Sequence, residues 1–278
     1  MIRERAFGKV NLVLHVGPPR PDGLHPLASL LASIDLADEL TLEESGKEDV
    51  VVCPGVESDN LALRALAAFR QTPAGRELAP LRVEIDKRVP VAAGLGGGSA
   101  DAAAVLRAAN ELAGHPLTTT ELRALGATVG SDVPALVEHR QLLVTGVGEV
   151  VEPVGLPPLE LVLVPAAEGL LTRDVYAQFD RAGGGRAALD AARLRELAAQ
   201  PAAELAAALE NDLQPAALAL RPELERTLGE LLEAEALGVA VSGSGPTVFG
   251  VFEDRQAADR AVASLPGAIA TRTRGPGR

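Results

Sequence analysis

The chain holds a single cysteine, Cys53, no tryptophan, one tyrosine and three lysines among its 278 residues. One cysteine excludes an intrachain disulfide, which fits a reducing compartment. With aromatics at 2%, leucine, valine and alanine must fill the core. No apolar run reaches membrane-spanning length, and Met1-Ile2-Arg3-Glu4-Arg5 lacks a signal-peptide pattern. The expectation is a soluble, cytoplasmic protein with no membrane partner. A basic surface is also missing. The net charge is -12, so nucleic acid is excluded as a general partner, though a nucleotide in a local pocket is not.

What is present is a glycine cluster. Gly94, Gly96, Gly97 and Gly98 lie within Pro90-Val91-Ala92-Ala93-Gly94-Leu95-Gly96-Gly97-Gly98-Ser99-Ala100-Asp101. The run follows a strand pattern over 81–89 and leads into an alanine-rich helix pattern over 99–113. Glycine lets the backbone approach a ligand closely, and a helix N-terminus offers free N–H groups and partial positive charge. Together they suit phosphate. The order Gly94-Leu95-Gly96 then Ser99 nearly fits a dinucleotide fingerprint, but that motif opens a βαβ unit and ends on Gly or Ala. No Gly-Lys-Ser/Thr follows, so it is not a Walker A loop. A plain flexible turn would spend backbone entropy for nothing. An anion-binding loop of another type is favoured.

The rest of the chain reads as mixed strands and helices without regular βαβ alternation, hence α+β. Strands are expected at 5–16, 40–42, 50–53, 160–164, 238–242, 247–252 and 268–273, with a hairpin of 141–145 and 149–154. Helices are expected at 61–71 (capped by Asp59-Asn60), 120–128, 172–180, 190–199, 201–219 with a break near Pro215, 222–236 and 255–264. The segment Pro153–Pro158 suggests a boundary between an N-terminal domain, 1–154, and a C-terminal domain, 155–278, and 274–278 reads as a disordered tail.

Several polar residues stand out, each with two readings. Lys9, in an apolar strand, is either an edge lysine whose ammonium reaches water or a cation set against an anion. Asp132, in Gly130-Ser131-Asp132-Val133-Pro134, is either a helix N-cap or a catalytic carboxylate. Ser242-Gly243-Ser244-Gly245-Pro246-Thr247 is either a hairpin turn or a second wall of the phosphate site. His25 and Asn211-Asp212 carry nothing alone.

Taken in order, Ala6-x-Gly8-Lys9-Val10-Asn11-Leu12, Asp22-Gly23-x-His25, Gly94 to Ser99 with Ala100-Asp101-Ala102-Ala103, Gly130 to Pro134 and Ser242 to Pro246 resemble the GHMP kinases over nearly the whole chain. Ile34-Asp35-Leu36-Ala37-Asp38 and Glu210-Asn211-Asp212-Leu213 agree and point to the members acting on a cytidyl diphosphate substrate. The resemblance implies a two-domain α+β fold, GHMP-kinase-like, with the active site in the interdomain cleft. It implies ATP-dependent phosphorylation of the 2-hydroxyl of a cytidyl-linked methylerythritol, in the non-mevalonate route to isoprenoid precursors. Homoserine or mevalonate kinases, or a non-catalytic nucleotide-binding protein on the same fold, are the alternatives. Carried onto this chain, Asp132 is the base and Lys9 its partner. Asn11 contacts substrate near the reacting hydroxyl and His25 binds cytosine. Pro90, Val91, Ala92, Ala93, Gly94, Leu95, Gly96, Gly97, Gly98, Ser99 and Ala100 wrap the ATP phosphates, with Ser99 close to Mg2+. The family often has an aromatic where Leu24 stands, and Tyr176 lies where a ring against cytosine is expected.

Overall fold

The structure is a computed structural model that describes residues 1–56 and 60–275. Asp59 of the expected helix cap and 276–278 of the expected tail lie outside the described residues. The chain forms two compact units, each assembled from separate stretches. The first takes Met1–Gly8, Leu36–Pro90 and Gly96–His139, and the second takes Lys9–Asp35, Val91–Leu95 and the chain from Arg140 onward. Pro153 to Pro158 therefore falls inside the second unit.

Two long strands, β1 (Ile2–Val16) and β2 (Leu27–Glu44), each contribute to both units. In the first unit, Glu39–Glu44 of β2 pair antiparallel with β4 (Leu81–Asp86), and β3 (Val50–Val52) runs parallel to β4 on its other side. Among the described residues, five helices complete this unit: α1 (Leu61–Arg70), α2 (Pro73–Glu77), α3 (Gly97–Leu112), α4 (Thr119–Ala127) and α5 (Val133–Leu136). Asn60 caps α1 by accepting from the Ala62 N–H, and Thr118 with Glu121 forms a reciprocal capping box on α4. The core joins Leu40, Leu42, Leu66, Phe69 and Leu106 to a run of buried alanines on α3, among them Ala102, Ala103 and Ala109. Small side chains let α1 lie close against α3, which is how a chain short of aromatics reaches dense packing.

The second unit holds a hairpin of β5 (Leu142–Thr145) and β6 (Val150–Pro153), with β5 antiparallel to Ser29–Leu31 of β2. Gly146 and Gly148, both at positive φ, close the hairpin. A separate antiparallel sheet has the order β11-β7-β10-β9, from β7 (Glu160–Val164), β9 (Gly238–Val241), β10 (Val248–Phe252) and β11 (Ile269–Arg272). Around it lie α6 (Thr172–Arg181), α7 (Ala191–Ala198), α8 (Ala202–Ala207), α9 (Gln214–Leu220), α10 (Glu223–Glu233) and α11 (Arg255–Ser264). The short β8 (Glu210–Asn211) runs parallel to β1 at Val13 and Leu14.

Three expectations need correction. The helix expected over 201–219 ends at Ala207, gives way to β8 and restarts at Gln214. Pro215 does not break it. It sits in the first turn of α9, where a missing N–H has no partner to lose. Arg274 is not part of a disordered tail. Its backbone N–H donates to the Ser33 carbonyl at 2.9 Å, its carbonyl accepts from Gln141 Nε2, and its guanidinium meets Asp35 at 2.9 Å. Nor does β1 alternate between buried and exposed positions, since every residue from Ala6 to Val16 is buried. Both faces are covered, so Lys9, Asn11 and His15 must each find polar partners inside the protein.

Candidate active site

In the second unit, Lys9 and Asn11 of β1 and Ser29 of β2 form one chain of hydrogen bonds, while His15 meets Glu210 Oε2 at 2.9 Å. Lys9 is 4% exposed, which rules out the edge-lysine reading. Its ammonium donates to Asn11 Oδ1 at 2.6 Å and to the Gly94 carbonyl at 2.9 Å. Asn11 Nδ2 donates to Ser29 Oγ at 2.8 Å, and Ser29 Oγ donates to the Val13 carbonyl at 2.7 Å. The Lys9 backbone N–H also donates to the Leu95 carbonyl at 2.9 Å, tying β1 to the start of the glycine loop.

The second small-residue loop meets the same point. Ser242 Oγ donates to the Gly94 carbonyl at 3.0 Å. Gly94 has φ +75, and a Cβ there would strike the Ser242 carbonyl and approach the Gly245 carbonyl to 2.7 Å. A Cβ on Gly243 would stand 3.0 Å from Lys9 Nζ and 3.2 Å from Asn11 Oδ1. Both positions therefore need glycine because the two loops and Lys9 close on one another. Asn211 fixes the second loop from behind, donating to the Val241 and Gly243 carbonyls at 2.7 Å each and accepting from the Leu213 N–H.

His25 and Tyr176 are also brought together. Their ring centroids lie 4.9 Å apart with a 44° tilt, and Phe179 stands 6.0 Å from His25 edge-on. His25 Nδ1 lies 2.9 Å from the Gly17 carbonyl, which can only accept, so Nδ1 carries the proton in that bond. Asp180 Oδ1 is 3.4 Å from Nε2. Leu24 is 52% exposed beside this group.

In the first unit, the second half of the glycine loop opens α3. Gly96 takes the left-handed conformation at φ 70 as N-cap, with no side chain satisfying the first-turn N–H groups. A Cβ on Gly97 would press on Val89 and stand 3.3 Å from Lys87 Nζ. One on Gly98 would meet only Leu61, at 3.8 Å. Packing therefore explains the glycine at 97 but not the one at 98. A bare, uncapped helix start with open space over Gly98 fits a phosphate group. Asp132 precedes α5 and is half-buried, and its side chain makes no capping hydrogen bond. The N-cap reading is thus not realised as a bond.

One cluster beneath this loop escaped the sequence. Lys87 Nζ bridges Asp38 Oδ2 and, at 2.8 Å, Asp101 Oδ2. Asp38 Oδ1 accepts from the backbone N–H groups of Arg88 and Val89 at 2.6 and 2.7 Å. The cluster so pins the segment after β4, at Arg88 and Val89, to the first turns of α3, the two supports of the loop. The scarcity of lysine was the only hint. Burial and the Asp38 charge push Asp101 up to about 7, against the pull of Lys87, and its Oδ1 has no hydrogen-bond partner. Between pH 3.8 and about 7, folded Asp101 therefore holds a proton that the unfolded chain releases. That share of stability is complete below the unfolded value and is lost as pH rises through about 7. Thermal melts between about pH 5 and pH 8 should show a smaller fall in Tm for Asp101→Asn than for wild type; parallel slopes would contradict the assignment.

Among the described residues, no group of three or more His, Cys, Asp or Glu side chains could hold a metal ion. Also among the described residues, no helix is long and apolar enough to cross a membrane.

Two small-residue loops, a buried lysine and an uncapped glycine-rich helix start are features of a phosphate-handling fold, and comparison defines which one. Residues 60–139 match the GHMP kinases N terminal domain, and residues 188–270 match the GHMP kinases C terminal domain. The chain belongs to the GHMP kinase family. It is 42% identical over 273 residues to 4-diphosphocytidyl-2-C-methyl-D-erythritol kinase of Anaeromyxobacter dehalogenans, covering 94% of this chain and 84% of the relative. A crystal structure of 4-(cytidine 5'-diphospho)-2C-methyl-D-erythritol kinase superposes with a TM-score of 0.81 at 34% identity, covering 99% of this chain and 100% of that one. Homoserine kinase from Cytophaga hutchinsonii shares the fold, with a TM-score of 0.69, 18% identity and coverage of 99% and 96%.

Proposed function

We propose that this GHMP kinase transfers the terminal phosphoryl group of ATP to the 2-hydroxyl of 4-diphosphocytidyl-2-C-methyl-D-erythritol. The observation that carries the chemistry is the buried Lys9 ammonium, held by Asn11 Oδ1 and the Gly94 carbonyl at the start of the glycine loop. The choice of acceptor is supported by relatives of that name at about 40% identity over most of the chain.

Phosphoryl transfer needs little covalent help and much positioning and charge stabilisation. Residues from Pro90 to Ala100 bind the ATP phosphates through backbone N–H groups and the positive end of α3. Asp132 orients the acceptor hydroxyl and takes its proton. Lys9 offsets negative charge developing on the transferred group. Asn11 holds the acceptor near its reacting hydroxyl. His25 hydrogen-bonds the cytosine edge, and Tyr176 offers the ring face that Leu24 cannot. Ser99, in the first turn of α3, is the residue that would meet a bound Mg2+, which would supply neutralisation of phosphate charge.

The test is turnover of ATP with the cytidyl substrate, homoserine and mevalonate in parallel, with the phosphorylated position read by phosphorus NMR. The cytidyl substrate should be preferred in kcat/KM by about 10³-fold or more, because a site built to hydrogen-bond a base rejects acceptors that lack it. Preference for either other alcohol, or absence of turnover with all three, would refute the reading.

A further inference from the structure

Ser29 was not singled out by any motif, yet it is 1% exposed and ends the hydrogen-bond chain that begins at Lys9. A serine hydroxyl has one proton to give. The Val13 carbonyl, 2.7 Å away, can only accept, so the proton goes there. The Ser29 oxygen is then left to accept from Asn11, 2.8 Å away, which requires the amide nitrogen on that side. At the other end the Lys9 ammonium can only donate, and it meets the amide oxygen at 2.6 Å. The orientation of an asparagine amide is usually ambiguous between nitrogen and oxygen. Here it is fixed from both ends. With the amide reversed, two donors would face each other at Lys9, and the amide oxygen would face a hydroxyl whose proton is already committed. The lysine stem is long and flexible, so a defined ammonium position depends on the acceptors offered to it.

We propose that Ser29 is a positioning residue for phosphoryl transfer, acting through the Asn11 amide to set the Lys9 ammonium. The proposal rests on the role given to Lys9 above. A structural role alone would place the hydroxyl there to satisfy one buried strand carbonyl, with no bearing on Lys9.

Ser29→Thr and Ser29→Val differ only in the hydroxyl and add the same bulk, so their comparison isolates the hydrogen bond. The threonine variant should retain kcat within about 3-fold of wild type, and the valine variant should lose about 10–100-fold in kcat with the ATP KM little changed. In an Asn11→Ala background the difference between the two should vanish, as it must if Ser29 acts through Asn11. Should valine prevent folding, Ser29→Ala removes the hydroxyl without added bulk. Equal kcat in the threonine and valine variants, or an undiminished difference in the Asn11→Ala background, would overturn the proposal. Side-chain amide NMR gives a readout independent of turnover: the Asn11 amide protons should be protected from exchange in wild type and Ser29→Thr and exposed in Ser29→Val. Loss of that protection in Ser29→Val with kcat unchanged would also overturn the positioning role. If Lys9→Met turns over as wild type, the functional reading fails on its own account, whatever the amide shows.

Discussion

Asp132→Asn and Lys9→Met should each lower kcat by about 10²–10⁴-fold, the range over which a positioned proton acceptor or a charge-stabilising group contributes. The two differ in stability. Asp132 is half-buried and makes no capping bond, so its replacement by an isosteric amide should change folding free energy by no more than about 0.5 kcal/mol. Lys9→Met keeps the stem but leaves Asn11 Oδ1 without its donor, while the Gly94 carbonyl keeps the Ser242 hydroxyl. Orphaned buried acceptors cost about 1–3 kcal/mol, so a lower Tm should accompany the lost turnover. Steady-state kinetics beside thermal melts separate the cases. Wild-type rates in both variants would remove these residues from the chemistry.

The second large effect is expected at Gly98. Its missing Cβ touches nothing closer than Leu61 at 3.8 Å. A valine there should leave the fold intact, and alanine should gain up to about 1 kcal/mol of helix propensity. The side chain would occupy the open space over the first turn of α3. Displacing the phosphates by about an ångström should cost on the order of 10²-fold in kcat/KM for ATP in Gly98→Val, mostly through KM. Gly94→Ala should behave oppositely, losing stability first, because its Cβ strikes the second loop and its φ is positive. Wild-type ATP affinity in a folded Gly98→Val enzyme would mean that phosphate does not rest on this turn.

The contrast between Gly94 and Gly98 shows what the sequence can and cannot carry. Four clustered glycines before an alanine-rich helix announced a tight loop and a helix start, because local pattern alone encodes both, and on these the phosphate proposal rests. The division of labour among those glycines depends on Ser242, Gly245, Val89 and Lys87, which reach them only in the folded chain. Strand β2 was legible only at 40–42, although it runs from Leu27 to Glu44. Its residues from Ala28 to Ile34 are buried without a break, so the period-of-two signal disappears. Ser29 was invisible for the same reason. Its partner Asn11 is fixed by how β1 and β2 lie side by side, and a serine in an apolar run advertises no bond. The Asp38–Lys87–Asp101 cluster joins residues from β2, the end of β4 and α3, so no local spacing could reveal it. By contrast Lys9, His25 and the residues around Asp132 are proposed through motif resemblance, since a single charged residue in an apolar strand leaves two readings open until burial is known.

The poverty in aromatics has a practical side. Tyr176 is the only tyrosine, and the chain has no tryptophan. Its ring lies 4.9 Å from that of His25, at the position assigned to cytosine. Nearly all of the protein's intrinsic near-ultraviolet fluorescence therefore originates from one ring at the proposed nucleobase site. The enzyme carries a built-in optical reporter of that site, with only the weak emission of five phenylalanines as background.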